Sequence, residues 1–186
     1  TAMDDDGNVI ISTPEELAYV IKNGGVVGGG SGHNFVLQND IYLNNLEGIN
    51  WETGEVNSDY DAREWFTSTT ADNMNGIIIW GNGHTIYGLY NKDASGTSGL
   101  IPKTVADSSL SVTIHDLGID NVYLSCSGNT GAFLGETQTK VVIDGSYAGE
   151  NVVVSGGTAA IFAAYNDAAI TLTNSYSLDA NGGYLL

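Results

Sequence analysis

Residues 143–147 (IDGSY) recur in related form as residues 172–176 (LTNSY), and this repeat indicates how the chain folds. The same spacing separates Ile114 from Ile143 and Phe133 from Phe162. A period of about 29 residues, built from short β segments with no helix between them, is typical of the coils of a solenoid.

Two further matches have nearly the same period. Residues 85–89 (TIYGL) resemble residues 113–117 (TIHDL), and Asn121, Asn151 and Asn181 recur at one constant spacing. We therefore predict an all-β chain folded as a parallel β-helix, with about 28–30 residues per coil and inward apolar residues forming a continuous core. A β-sandwich is the alternative, because strand spacing alone also permits it.

The chain divides into two predicted parts. Residues 1–9 form an acidic tail, and residues 10–186 form one β-helix domain. Within the domain we predict a capping helix over residues 14–23, which has Thr13 or Ser12 as its N-cap and an apolar face. A long polar excursion then covers residues 44–75, and repeated coils cover residues 76–186.

Composition limits the partners. The 186 residues include 5 Lys and Arg against 22 Asp and Glu, a formal net charge of −17. This charge excludes non-specific nucleic-acid binding, which needs cations facing phosphates. No apolar run reaches the length of a spanning helix, so membrane insertion is not expected. The single cysteine, Cys126, excludes an internal disulfide, and we expect it to be a buried apolar residue.

The order of several segments resembles a known family. These segments are residues 10–17 (IISTPEEL), 34–43 (NFVLQNDIYL), 81–89 (GNGHTIYGL), 116–119 (DLGI) and 131–133 (GAF). The order is similar to that of exported bacterial surface proteins with GLUG-type repeats, including the non-catalytic part of immunoglobulin-A-protease-like proteins. The resemblance implies a right-handed parallel β-helix, a secreted or cell-surface location and neighbouring modules in a larger chain. It implies no shared active site.

These observations predict a non-enzymatic module that acts as a stalk, an adhesive or a carbohydrate-contacting element. The expected partners are a cell-wall or dietary polysaccharide, or a host or partner protein. The alternative, from another class, is a polysaccharide lyase or hydrolase of the β-helix type. A hydrolase needs paired carboxylates, and Asp116 and Asp144 are close enough in the period to be neighbours on successive coils. Acids repeated at a turn are more often solvated, so we expect no catalytic residues.

No cofactor is expected. His33, His84 and His115 are too scattered for a metal site, and the absence of an HExxH motif excludes zinc proteolysis by this segment. The sequence leaves calcium binding open. We expect His84, which lies within a Gly-Asn-Gly-His turn, to make a structural hydrogen bond, and His115 to point outward from its strand.

Aromatic residues are the candidate ligand-binding residues, because flat rings stack on the C–H faces of sugars while nearby polar groups bind hydroxyls. Six of them cluster in the excursion and the strand after it: Trp51, Tyr60, Trp65, Trp80, Tyr87 and Tyr90. The alternative for Trp65 is that it packs with Phe66 and pins the excursion against the flank of the helix.

The repeated asparagines carry two further predictions. Their side-chain amides are expected to hydrogen-bond along the stack of coils. The coil that starts at Asn181 reaches Leu186 with apolar residues and no cap. We therefore expect the chain to be a fragment of a longer β-helix, or its open end to be covered by a second copy.

Overall fold

The computed structural model describes residues 2–25, 34–68, 76–104 and 109–178. The described residues form one helix and seventeen strands. In chain order the elements are β1 (Val9–Ile11), α1 (Pro14–Lys22), β2 (Phe35–Leu37), β3 (Ile41–Tyr42), β4 (Ile77–Trp80), β5 (Thr85–Ala94), β6 (Ile101–Lys103), β7 (Ser111–His115), β8 (Gly118–Cys126), β9 (Asn129–Gly131), β10 (Leu134–Thr137), β11 (Lys140–Asp144), β12 (Tyr147–Ala148), β13 (Val152–Ser155), β14 (Thr158–Ala160), β15 (Ala163–Asn166), β16 (Ile170–Thr173) and β17 (Tyr176–Ser177).

The strands form the walls of a parallel β-solenoid of about five turns, as predicted. The first wall, sheet A, has the strand order β1-β2-β4-β7-β11-β16. Sheet B has the order β3-β5-β8-β12-β17, with β13 also paired to β8. The third wall contains β6, β10 and β15, and β9 pairs with β14 at the corner before it. Among the described residues, every pair of these strands is parallel, because each coil repeats the path of the coil before it.

The strand register confirms the period of the repeat. In sheet A, Ile114 pairs with Ile143, which in turn pairs with Leu172. In sheet B, Tyr147 pairs with Tyr176. The rings of Phe133 and Phe162 stack in the core with centroids 5.2 Å apart. Equivalent side chains therefore meet once per coil, which is the physical origin of the repeat.

One predicted alignment is wrong. Thr85 pairs with Gly118, not with Thr113, and belongs to sheet B. Thr113 lies in sheet A, where it pairs with Ile78 and Val142. The similarity of the TIYGL and TIHDL segments is local, because both are strands with the same in-and-out alternation. The coil that starts at Thr85 is longer than the later coils, so a constant period assigns Thr85 the wrong pairing partner.

The helix joins the same core as the sheets. Thr13 caps it, accepting from the backbone N–H of Glu16 at 3.2 Å, while the Glu16 carboxylate accepts from the Thr13 N–H. Leu17, Val20 and Ile21 are buried in the core. The helix ends at Lys22, and Asn23 is its C-cap rather than its last residue.

The predicted boundaries need small corrections. Val9 begins β1 and is fully buried, so the domain starts at least one residue earlier than the predicted Ile10. Asp4 accepts hydrogen bonds from the backbone and the side chain of Asn8, so part of the acidic tail forms an ordered turn. The predictions for His33, for Asn181 and for the C-terminal residues 179–186 lie outside the described residues.

The asparagine positions align as predicted, but their turn is held differently. Val122 pairs with Val152, which places Asn121 and Asn151 at equivalent positions. The Asp120 carboxylate accepts from the backbone N–H of Asn121 at 2.8 Å and from that of Asn151 at 3.0 Å. A side-chain carboxylate, rather than a row of amides, therefore links the two coils at this turn.

Candidate functional site

The six predicted aromatic residues do not form one exposed cluster. Trp51, Trp65 and Tyr90 are less than a tenth exposed, so their rings are used for packing. The remaining three (Tyr60, Trp80 and Tyr87) are partly exposed and lie in different settings. This corrects the expectation of a single aromatic surface, because alternation along a strand and the fold of the excursion decide which rings reach solvent.

Part of the excursion packs on the outer face of sheet B. Trp51, Ile49 and Tyr90 form a small apolar cluster separate from the main core. The Tyr90 hydroxyl donates to the carbonyl of Gly54 at 3.1 Å. Gly54 lies against the ring of Tyr123, where any Cβ would collide, and its φ of +67° also favours glycine. The excursion is therefore fixed to the sheet.

Trp65 packs the C-terminal end of the described part of the excursion against the main core. Its ring belongs to the main core, and its indole N–H donates to the carbonyl of Leu100 at 3.2 Å. Phe66 contacts Trp65 with centroids 4.6 Å apart, and the Lys22 ammonium of the helix lies 5.9 Å from the Phe66 ring centroid. The alternative interpretation, in which these two rings pack the excursion beside the helix, is confirmed.

Asn44 connects the excursion to the solenoid. Its side-chain amide donates to the carbonyls of Arg63 at 2.9 Å and Gly88 at 2.8 Å. Its side-chain oxygen accepts from the Tyr60 hydroxyl and from the Arg63 backbone N–H, both at 2.8 Å. One nearly buried amide thus uses all its hydrogen-bonding capacity to position Tyr60 and Arg63.

A stacked pair of tyrosines stands on the outer face of sheet B. Tyr42 and Tyr87 are register partners, and their rings are 4.8 Å apart with an interplanar angle of 11°. Tyr42 lies on the edge strand β3 and is 52% exposed. Burial raises the pKa of the Tyr87 hydroxyl, so this hydroxyl is neutral and can donate a hydrogen bond at ordinary pH.

Thr85 connects the Tyr42–Tyr87 pair to a second pair of stacked tyrosines. The Thr85 and Tyr147 hydroxyls are 2.6 Å apart, although Tyr147 lies two strands away across Gly118. A Cβ at Gly118 would lie 2.6 Å from the Tyr147 ring, so glycine makes room for this side chain to extend along the solenoid axis. Tyr176 stacks on Tyr147 with centroids 5.7 Å apart. We call Tyr42, Tyr87, Tyr147 and Tyr176 the tyrosine strip.

An open cleft borders the strip. It measures about 490 Å³ and lies where the excursion leaves β3. It begins at Tyr42, and its lining includes Asn45, Tyr60, Asp61 and Arg63. The Arg63 guanidinium reaches the Glu15 carboxylate of the helix at 3.0 Å, in an exposed ion pair. The cleft therefore combines an aromatic face with hydrogen-bond donors and acceptors.

Trp80 lies on a different wall from the strip. In sheet A its ring stacks on the imidazole of His115, with centroids 4.4 Å apart and an interplanar angle of 12°. His115 is partly exposed at the outer face, as predicted, and its Nδ1 is 3.7 Å from the Asp144 carboxylate. The Thr173 hydroxyl, followed by the Asn174 amide, lowers the pKa of Asp144 by hydrogen bonding.

The two acids considered for hydrolysis are not register partners. Asp144 is the register partner of His115, one position away from Asp116. The backbone N–H of Asp116 donates to the Asp144 carbonyl at 3.0 Å, and Asp116 has a φ of +48° at a turn. His84 makes a side-chain contact, as predicted: its Nδ1 is 3.3 Å from the Asp40 carboxylate, which also accepts from the Thr85 N–H.

Other kinds of site have little support in the described part of the chain. No group of three or more His, Cys, Asp or Glu side chains that could hold a metal ion is found within residues 2–25, 34–68, 76–104 and 109–178. Cys126 is buried, and burial raises the pKa of its thiol, so the reactive thiolate is disfavoured. Over the same ranges, no helix is long and apolar enough to cross a membrane.

Comparisons with known proteins add no family. A scan against protein-family models, a search of curated proteins and a search of solved structures each found no match. The parallel strand pairing identifies the fold as a parallel β-solenoid.

Tyr60 and Tyr87 are among the ligand-binding residues predicted from the sequence. The other three members of the tyrosine strip, Tyr42, Tyr147 and Tyr176, are not. Tyr147 and Tyr176 were visible as part of the repeat, and Tyr42 is in the segment IYL at residues 41–43. The missing signal is the register across Gly118, because only the paired strands show that these rings share one face.

Proposed function

We propose that this β-solenoid is a non-enzymatic, carbohydrate-contacting module of an exported bacterial surface protein. The observation that supports the proposal is the exposed Tyr42 ring, backed by Tyr87, at the mouth of the polar cleft. A ring fixed by stacking loses little conformational freedom when a ligand binds, so its apolar face contributes to affinity with a small entropic cost.

The cleft supplies the polar half of such a site. Asn45, Asp61 and Arg63 are exposed and offer both donors and acceptors beside Tyr42. Sugar rings carry apolar C–H faces and hydroxyls around their edge, so a ligand stacked on Tyr42 would present hydroxyls to these groups. The sequence resemblance to exported GLUG-repeat proteins supports the cell-surface location.

The first experiment is a binding screen on immobilised neutral, acidic and amino-sugar glycans. We expect the purified protein to bind at least one glycan, and the Tyr42→Ala/Tyr87→Ala double variant to lose about tenfold in affinity. Tyr19→Ala is the matched control, because Tyr19 on α1 is 53% exposed, like Tyr42, but does not line the cleft.

Three outcomes would contradict the proposal, the first being that no glycan in the screen binds. Binding that is equal in the double variant and in Tyr19→Ala would place the ligand elsewhere. Release of reducing ends or unsaturated products from the same glycans would show a polysaccharide-active enzyme instead. A circular-dichroism melt of each variant shows whether a loss of binding reflects a loss of fold.

A further inference from the structure

We infer that the ligand is a linear, uncharged polysaccharide that lies along the solenoid axis, across the strands of sheet B, and not a terminal sugar held in the cleft alone. This inference rests on the proposed function. It follows from the direction of the tyrosine strip, from the wall beside it and from the charges that border it.

The strip follows the axis and not a single strand. Its members lie on β3, β5, β12 and β17, which occupy successive places in sheet B apart from β8 in the middle. Neighbouring strands are about 4.8 Å apart, so the four steps from Tyr42 to Tyr176 span about 19 Å. Such a length fits several sugar units of an extended chain and exceeds the size of one sugar ring.

The gap at β8 is bridged by Tyr147. Its side chain passes over Gly118, and its hydroxyl reaches Thr85 on β5, so the ring itself occupies the place where β8 has no side chain. Thr85 lies two residues before Tyr87 on β5, so the two side chains are on the same face of that strand. Tyr147 therefore extends from the second stacked pair to the strand that carries Tyr87.

The excursion forms a wall beside the strip. It covers the later part of β5 and β8, where Gly54 packs on Tyr123 and receives the Tyr90 hydroxyl. The earlier part of the same strands, with Tyr87, is left open. The excursion therefore blocks one side of the strip, and a ligand bound there can extend along the solenoid axis.

Carboxylates border the strip on the sheet itself. Asp40 is held by the Thr85 N–H at 2.9 Å, and Asp120 is the register partner of Tyr87. With a net charge of −17 on the whole chain, this surface repels uronic-acid and sulfated polymers. Neutral chains meet no such repulsion, which is why the inferred ligand is uncharged.

The test uses linear β-1,4-glucan and β-1,4-xylan oligosaccharides of two, four and six units, with titration calorimetry on the full chain. We expect the hexasaccharide to bind about tenfold more tightly than the disaccharide in at least one series. Polygalacturonate oligosaccharides of the same lengths should bind more weakly than the neutral series, and the difference should shrink as salt is added.

Variants separate the two halves of the strip. Tyr176→Ala removes an exposed ring at the far end and should abolish the gain with length while leaving disaccharide affinity unchanged. Tyr147→Phe keeps the ring and removes only the hydroxyl bonded to Thr85, so it provides a second, milder test if a larger truncation perturbs the fold. Tyr42→Ala/Tyr87→Ala should weaken both short and long ligands.

The outcomes distinguish this inference from the proposed function. Equal affinity for short and long oligosaccharides, or a length gain that survives Tyr176→Ala, would overturn the axial ligand while leaving a carbohydrate site at Tyr42. Failure of both neutral series, with only a charged or branched glycan bound in the screen, would also overturn the inference alone. Failure of every glycan would overturn the proposed function and the inference with it.

Discussion

Replacement of Asn44 by alanine should detach the excursion from the solenoid. The side chain makes four hydrogen bonds of 2.8–2.9 Å, and the one to the Gly88 carbonyl is buried. Leaving that carbonyl unpaired costs about 1–3 kcal/mol, and each of the other bonds contributes about 1 kcal/mol or less. We expect Asn44→Ala to lower the free energy of unfolding by about 3 kcal/mol.

Two spectroscopic probes show which part of the protein loses stability in Asn44→Ala. Trp51 and Trp65 report on the excursion by fluorescence, with Trp80 on sheet A as a third emitter, while far-ultraviolet circular dichroism reports on the sheets. In a urea titration of Asn44→Ala, the midpoint of the fluorescence transition should move to a lower urea concentration than that of the circular-dichroism transition. In the wild-type protein the two transitions should coincide.

Asn45→Ala is the control, because Asn45 is the next residue and is exposed. Asn44→Asp keeps an acceptor for Tyr60 and Arg63 but turns a carboxylate oxygen toward two carbonyls, so it should be at least as destabilising as alanine. An Asn44→Ala protein within about 0.5 kcal/mol of Asn45→Ala would refute the role of this amide.

Three further predictions concern the core, the outer wall and the strip. Phe133→Asp should remove cooperative thermal unfolding, because an unpaired charge would enter the fully buried stack; a sharp melt at an unchanged temperature would contradict this. Hydrogen bonding lowers the folded pKa of Asp144, so its stabilisation is present above its unfolded pKa of about 3.9 and is lost as pH falls through the folded value. Asp144→Asn should therefore flatten the acid limb of a melting-temperature profile, and an unaltered limb would show no net contribution. Gly118→Ala should displace Tyr147 and lower stability by about 1–3 kcal/mol; because the φ of Gly118 is not positive, the close contact of the added Cβ is the cause, and unchanged stability would contradict it.

The periodic part of the fold could be predicted from sequence because burial repeats with the coil. Ile114, Ile143 and Leu172 point into the core at the same place, so their apolar character is set by position. The pairing of Thr85 could not be predicted in this way, because the coil that starts there is longer than the others. The similarity of two strand sequences, TIYGL and TIHDL, then suggested the wrong partner.

The site was harder to predict because it depends on which side of the chain each ring faces. Trp51 and Trp65 lie in a segment with little regular structure, where no alternation separates buried from exposed positions. Their burial follows from contacts with residues far along the chain, such as Leu100 for Trp65. The tyrosine strip likewise depends on the register across Gly118, which no residue type alone reveals.

The position of the excursion has a consequence for protein engineering. It leaves the solenoid after β3 and returns before β4, yet β2 still pairs with β4 and β3 still pairs with β5 in the ordinary parallel register. The part of a coil that leads from sheet B back to sheet A can therefore hold a long excursion without disturbing the ladders of those two sheets, since each coil depends mainly on its neighbours. The exposed turn between β15 and β16, where a later coil returns to sheet A, is a natural place to graft a recognition loop of chosen sequence, leaving the apolar interior untouched.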